Sequence, residues 1–222
     1  MITIYYDRLE DCPLNEQNEK EHLMGLTLLS HGLKDLYGID LALKDLPEQI
    51  GFGQWGKPFL KDYPNIHFNI SHSHLLGICG FDDTPIGVDL EKPKKFHAAI
   101  LKKALSPEET AIMESLGDSE EARREYFARL WTLKESRVKL TGEGLTIPIV
   151  GFSFTIDMVN DPSPVTGSEK NFFYLQKRFQ KDFFLSICAS HPVSDIVFEK
   201  TQVATEVEKE RERLKLLKKR SS

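Results

Sequence analysis

Ile86-Gly87-Val88-Asp89-Leu90-Glu91 alternates between two chemistries, with Ile86, Val88 and Leu90 at one set of positions and Gly87, Asp89 and Glu91 at the other. A period of two marks a strand with one face in a core. Working upstream, IHFNI (66–70) and LLGICGFD (75–82) are also strand-like, and residues 82–85 supply a turn. Further back the period changes. Leu23, Leu26, Leu29 and Leu33 recur at helical spacing and predict a helix over about 19–37, stopped by Gly38. Residues 51–65 hold three Gly and two Pro around Trp55 and read as irregular loop. Downstream, Ser106-Pro107-Glu108-Glu109 is a capping box, and residues 118–121 repeat the cap pattern. A long helix then runs to about Leu140, with Phe127, Leu130, Trp131 and Val138 as its buried stripe and Gly142 or Gly144 ending it. Strands return at 151–156, 171–178, 182–189 and 195–200, with 157–170 as a hairpin connection.

Helix followed by strands thus occurs on both sides of residues 82–85. The expected fold is α+β in two lobes, 1–84 and 85–198, each a small antiparallel sheet packed with a long helix. Residues 199–222 form a charged helical tail. The chain has 222 residues with 34 acidic and 29 basic side chains, a net charge of −5. That balance argues against a broad nucleic-acid surface. The three cysteines, Cys12, Cys79 and Cys188, are widely spaced with no CxxC, which disfavours a disulfide framework or a cysteine zinc site. A cytoplasmic location is the expectation. The N-terminus lacks signal-peptide character, and the longest apolar run falls well short of the roughly 20 residues a membrane span needs, so no membrane partner is expected. Charge is uneven: residues 199–222 carry a net +3 and the rest −8. In the tail, Val203, Val207, Leu214 and Leu217 make a thin helical stripe, read as a solvated, loosely packed helix, with a partner-binding helix as the alternative.

Four clusters could carry chemistry. Asp89 and Glu91, two apart on a strand, share a face about 6.6 Å apart. A cation between them would remove their repulsion, and oxygen ligands favour Mg²⁺ or Mn²⁺; the plain alternative is an acidic solvent face. Within LWTLKESRVKL (130–140), Glu135 and Lys139 are one helical turn apart. They form either a surface ion pair or a third carboxylate beside a cation. In HFNISHSH (67–74), a turn at Ser71, His72 and Ser73 would cradle phosphate, whereas the histidines lack zinc spacing. Finally, Lys57 could meet an anion, and Pro58 could present a flat face to a ring.

Taken in order, GKP (56–58), FNISHS (68–73), IGVDLEK (86–92) and FARLWTLKESRVKLTGEGLTIP (127–148) resemble the signature series of the Sfp-type 4′-phosphopantetheinyl transferases. The resemblance covers roughly residues 50–192. It implies two pseudo-symmetric α+β lobes in a monomer, with coenzyme A in the cleft between them. It also implies Mg²⁺ held by Asp89, Glu91 and Glu135 against the CoA pyrophosphate, with Mn²⁺ admissible. Lys139, Ser71 and His72 would touch phosphate, and Lys57 and Pro58 would flank the adenine. The arm would move to a serine of an apo acyl or peptidyl carrier protein, releasing adenosine 3′,5′-bisphosphate. Glu135 is the favoured base for the serine proton and Glu91 the alternative. One departure stands out: in PLNEQNEKEHLMG (13–25), Glu21 occupies a place where the family has a basic residue for the 3′-phosphate, and only Lys20 and His22 are near. Two rival readings use the same residues: a metal-dependent pyrophosphohydrolase acting on CoA or a nucleotide, and a non-catalytic CoA- or carrier-binding module.

Overall fold

The computed structural model describes residues 1–144, 148–158 and 165–220. The expected GEGLTIP segment therefore falls partly outside the described residues, at 145–147, as does part of the 157–170 connection, at 159–164. The chain divides into two compact units.

The first unit comprises residues 1–52, 58–83 and 195–222. Its sheet has the order β11-β1-β5-β4, with β1 Ile2–Arg8, β4 His67–Ser73, β5 Leu76–Asp82 and β11 Ile196–Lys200. β5 pairs antiparallel with both β1 and β4, whereas β11 pairs parallel with β1, Ile2 opposite Ile196. Helix α1, Leu14–Tyr37, lays Leu23, Leu26, Leu29 and Leu33 on this sheet. It ends as expected at Gly38, which takes φ 69° and returns its N–H to Leu33 and Lys34 carbonyls. A short helix α2, Leu46–Gln49, leads into the hairpin of β2, Ile50–Phe52, and β3, Pro58–Leu60.

Two expectations are corrected in this unit. The turn placed at residues 71–73 comes later, at His74 and Leu75, both with positive φ (49° and 61°), so Ser71, His72 and Ser73 belong to β4. The segment after Glu199 is not loosely packed. Val203 and Val207 are fully buried in the α1 core, and the Val203 N–H donates to the Asp7 carboxylate at 2.7 Å. Helix α6, Ala204–Arg220, lies along α1, with Arg211 gripping Glu16 and Glu19. Residues 195–222 therefore group with residues 1–52 and 58–83, because β11 completes the first sheet and α6 covers α1.

The second unit comprises residues 53–57 and 84–194. Its antiparallel sheet has the order β6-β10-β9, with β6 Ile86–Glu91, β9 Phe173–Phe179 and β10 Phe183–Ala189. Helices α3, Ala98–Ala104, and α4, Pro107–Ser115, precede α5, Glu120–Thr141. Ser106 forms the expected capping box with Glu109. The cap of α5 is Ser119 rather than Asp118, its hydroxyl accepting the Ala122 N–H. Phe127, Leu130 and Val138 are buried under α5, and Trp131 only partly so. Strand 151–156 shortens to β7, Phe154–Ile156, which pairs with β8, Val165–Gly167. Among the described residues no helix is long and apolar enough to cross a membrane.

Candidate active site

Strand β6 lies directly under α5. A Cβ on Gly87 would stand 1.9 Å from the Ser136 carbonyl oxygen and 2.5 Å from the Leu140 nitrogen, so only glycine lets the helix backbone settle there. That approach brings successive turns of α5 over β6. Lys139 Nζ reaches Asp89 Oδ1 at 2.6 Å, and Asp89 itself is 5% exposed. Glu135, one turn earlier, is partly buried. Its carboxyl is pushed up to about 7, first by burial and then by the Asp89 carboxylate; Lys139 opposes the shift and Glu91 adds to it. Asp89, Glu91, Glu135 and Lys139 thus share one electrostatic neighbourhood.

The donor set suits a hard divalent cation, because it consists of carboxylate oxygens that raise one another's cost of ionisation. The side chains as they stand are nonetheless committed to lysines: Asp89 to Lys139, and Glu91 to Lys94 at 3.2–3.3 Å. Among the described residues no three carboxylate, imidazole or thiol groups are gathered at metal-ligand spacing. Glu91 would have to leave Lys94 to join its neighbours.

Lys57 is held in the same unit. Its ammonium donates to the Leu140 carbonyl at 2.6 Å and the Ile86 carbonyl at 3.3 Å, joining the C-terminus of α5 to the start of β6. Burial brings its pKa down to about 8. Pro58 opens β3 in the first unit and is partly buried. In that unit, strand alternation separates Ser71, which is buried, from His72, whose side chain is 39% exposed and whose Nδ1 lies 3.2 Å from Glu21 Oε2.

Glu21, where the resemblance led to the expectation of a basic residue, is structural. Buried at 4% exposure, it accepts the Leu75 N–H at 2.8 Å and the Gln17 amide at 2.8 Å. It thereby serves the His74–Leu75 turn, where a bulky residue sits in left-handed backbone. Lys20 is not left to meet a phosphate alone, since Glu208 of α6 forms an ion pair with it.

Sequence reasoning also passed over Lys134. It is 1% exposed, and its ammonium is shared by the Glu109 carboxylate at 2.8 Å and the Ile149 and Phe152 carbonyls at 3.0 and 2.7 Å. A second buried group, Arg129, Thr132, Gln176 and Ser186, ties α5 to β9 and β10. The available signal was Ser186, a hydroxyl in the otherwise apolar run DFFLSICA.

Residues 85–189, which contain β6, α5 and, among the candidate residues, Asp89, Glu91, Glu135 and Lys139, match the family model of the 4′-phosphopantetheinyl transferase superfamily. A 4′-phosphopantetheinyl transferase of Bacillus subtilis is 31% identical over 197 residues, 86% of this chain and 84% of its own. The 4′-phosphopantetheinyl transferase Sfp of Bacillus subtilis strain 168 is 32% identical over 196 residues, with the same coverage of both chains. A solved holo-[acyl-carrier-protein] synthase from Thermotoga maritima superposes only loosely, with a TM-score of 0.38 and 15% identity over 50% of this chain and 64% of its own. Identity of this extent, running through most of both chains, means that this protein belongs to the Sfp-type 4′-phosphopantetheinyl transferases.

Proposed function

We infer that this chain moves the 4′-phosphopantetheine arm of coenzyme A onto a serine hydroxyl of an apo acyl or peptidyl carrier protein, with Mg²⁺ held by Asp89, Glu91 and Glu135. The supporting observation is the meeting of Asp89, Glu135 and Lys139 where α5 crosses β6, with the Glu135 carboxyl pushed up to about 7 by burial and by Asp89. Bound Mg²⁺ would neutralise the pyrophosphate and the leaving phosphate.

The chain's own groups do the rest. Serine oxygen bonds to the phosphorus next to the pantetheine, and the bond from that phosphorus to the bridging oxygen breaks. Adenosine 3′,5′-bisphosphate leaves with the electron pair. Glu135 takes the serine proton, and Lys139 places a cation beside the phosphates. Phosphoryl transfer needs positioning and charge neutralisation more than covalent help, which suits a site made of carboxylates and a lysine on rigid elements. We assign Ser71 and His72 to phosphate contact, as the resemblance implies. We assign Lys57 and Pro58 to the adenine, with the Lys57 ammonium also bracing the end of α5. We place the protein in the cytoplasm as a monomer. Its three cysteines are free, and each unit completes a sheet and long-helix core within one chain.

The decisive experiment is intact mass spectrometry of an apo carrier protein incubated with this protein and CoA, with and without Mg²⁺. A carrier that gains one phosphopantetheine only when Mg²⁺ is present is the expected result. An unmodified carrier with free 4′-phosphopantetheine would instead identify a pyrophosphohydrolase.

A further inference from the structure

A polar row crosses the sheet of the second unit, and the transfer reaction does not use most of it. Strand pairing sets Asp89 opposite Ser186, and Ser186 opposite Gln176. Residues directly opposite on antiparallel strands share a face. Here that face meets α5, because Asp89 bonds Lys139 and both other residues bond Thr132.

Ser186 and Thr132 are fully buried and Gln176 nearly so, at 1% exposure. Ser186 donates its hydroxyl proton to Thr132 Oγ1 at 2.7 Å, and Thr132 donates to the Arg129 carbonyl at 2.9 Å. The Gln176 amide donates to that carbonyl at 2.8 Å and to Ser186 Oγ at 2.9 Å, with Thr132 Oγ1 at 3.1 Å. Its own oxygen accepts Arg129 Nε at 2.9 Å. Rotating α5 about its axis would break several of these bonds at once in a dry interior, where unmade bonds are costly. On α5, Glu135 follows Thr132 by three residues and Lys139 by seven, so all three lie along one face.

We propose that Thr132 and Ser186 are positioning residues for the acidic cluster: their hydroxyl pair fixes the rotation of α5 on the sheet, which delivers Glu135 to Asp89 and sets the affinity of the divalent-cation site. The proposal rests on the reading of those carboxylates as a cation site. Losing the groups that orient a metal's ligands commonly costs its affinity about 10- to 100-fold, the scale expected if the seating of α5 sets that orientation.

Mn²⁺ titration of the whole CoA-free protein, read by the paramagnetic resonance of free Mn²⁺, tests both ideas separately. Wild type should bind Mn²⁺ and Asp89→Ala should not. If both bind equally, or neither binds, the cation site falls and this proposal with it. Given a standing site, Thr132→Val should weaken Mn²⁺ binding about 10-fold and lower kcat comparably, with the KM for CoA within about twofold. Thr132→Ser, which keeps the hydroxyl, should stay within about twofold of wild type, and Ile187→Val, a neighbouring core truncation, should leave Mn²⁺ affinity unchanged. Should Thr132→Val not fold, Ser186→Ala carries the same expectation. Wild-type affinity in a folded Thr132→Val or Ser186→Ala protein, or equal weakening in Ile187→Val, would overturn the proposal.

Discussion

Glu135→Gln should make the metal-free protein more stable while disabling the enzyme. In the folded chain the Glu135 carboxyl is pushed from its ordinary 4.5 to about 7, chiefly by burial and next by Asp89. Between those two values the folded protein keeps a proton that the unfolded chain has lost. Stability therefore falls as pH rises through this window, and the loss is complete above the folded value. A rise of this size corresponds to about 3 kcal/mol, or about 2 kcal/mol once partial exposure and local relaxation are allowed for. Glutamine has nearly the same shape and no charge to bury, so it escapes this penalty. The assay is urea unfolding of wild type and variant in EDTA at pH 5 and pH 8. The variant's advantage should be small at pH 5 and about 2 kcal/mol greater at pH 8. Added Mg²⁺ should stabilise wild type at pH 8 and leave the variant nearly unmoved. Transfer by the variant should fall by about 10²-fold or more. A stability difference that does not change with pH, or a variant less stable than wild type at pH 8, would refute this account of the site's electrostatics.

Three further outcomes follow from the fold. Deleting residues 203–222 should destabilise the protein by more than about 3 kcal/mol, since Val203 and Val207 are fully buried against α1; a truncated protein melting within a few degrees of the full chain would contradict this. Gly87→Ala should cost more than about 4 kcal/mol or prevent folding, because its methyl would strike α5 backbone rather than a movable side chain; circular dichroism and urea unfolding read this directly. Lys181→Gly, at an exposed turn residue with φ 67°, should stabilise by about 0.5–1 kcal/mol in thermal unfolding and leave transfer activity unchanged.

What could be read from the sequence was whatever local patterns determine. The alternation in β6, the leucine spacing and terminal glycine of α1, and the capping box at Ser106 each depend on residues a few positions apart. Spacing on one strand and one helix singled out the carboxylates and Lys139 but left an acidic solvent face and a surface ion pair open; their metal and phosphate roles came only with the resemblance to the Sfp-type family. What escaped depends on partners far along the chain. Nothing local in residues 196–200 says that this strand pairs parallel with residues 2–6, yet that pairing carries α6 onto α1 and turns an apparently loose tail into core. The turn at His74 and Leu75 carries no Gly, Asn, Asp or Pro to mark it, and Leu75 is a residue that rarely enters left-handed backbone. Its support comes from Glu21, more than fifty residues upstream, which looked like a defect in a phosphate site and is the acceptor that holds the turn.

Helix α5 shows why a short motif cannot be taken whole. Lys134, Glu135 and Lys139 lie within six residues, and a motif match alone would treat them alike. Five residues of helix turn the chain through about 500°, so Lys134 and Lys139 cannot share a face. Lys134 points into the unit, where all three of its donors are spent on Glu109 and two carbonyls, and burial draws its pKa down against the pull of Glu109. Lys139 keeps a 27% exposed side chain and meets Asp89 at the rim. The first lysine ties the helix to the capped start of α4, because Glu109 also accepts the Ser106 and Phe154 N–H groups at 2.8 and 2.9 Å. The second can exchange its carboxylate for a phosphate without emptying the core. Between them Glu135 is held partly buried beside Asp89, an arrangement that costs stability without a cation. The Glu109–Lys134 pair and the hydroxyl network of Thr132 and Ser186 keep α5 seated despite that repulsion, so the rigidity of this buried polar scaffold is what makes a repelling carboxylate site possible on the same helix.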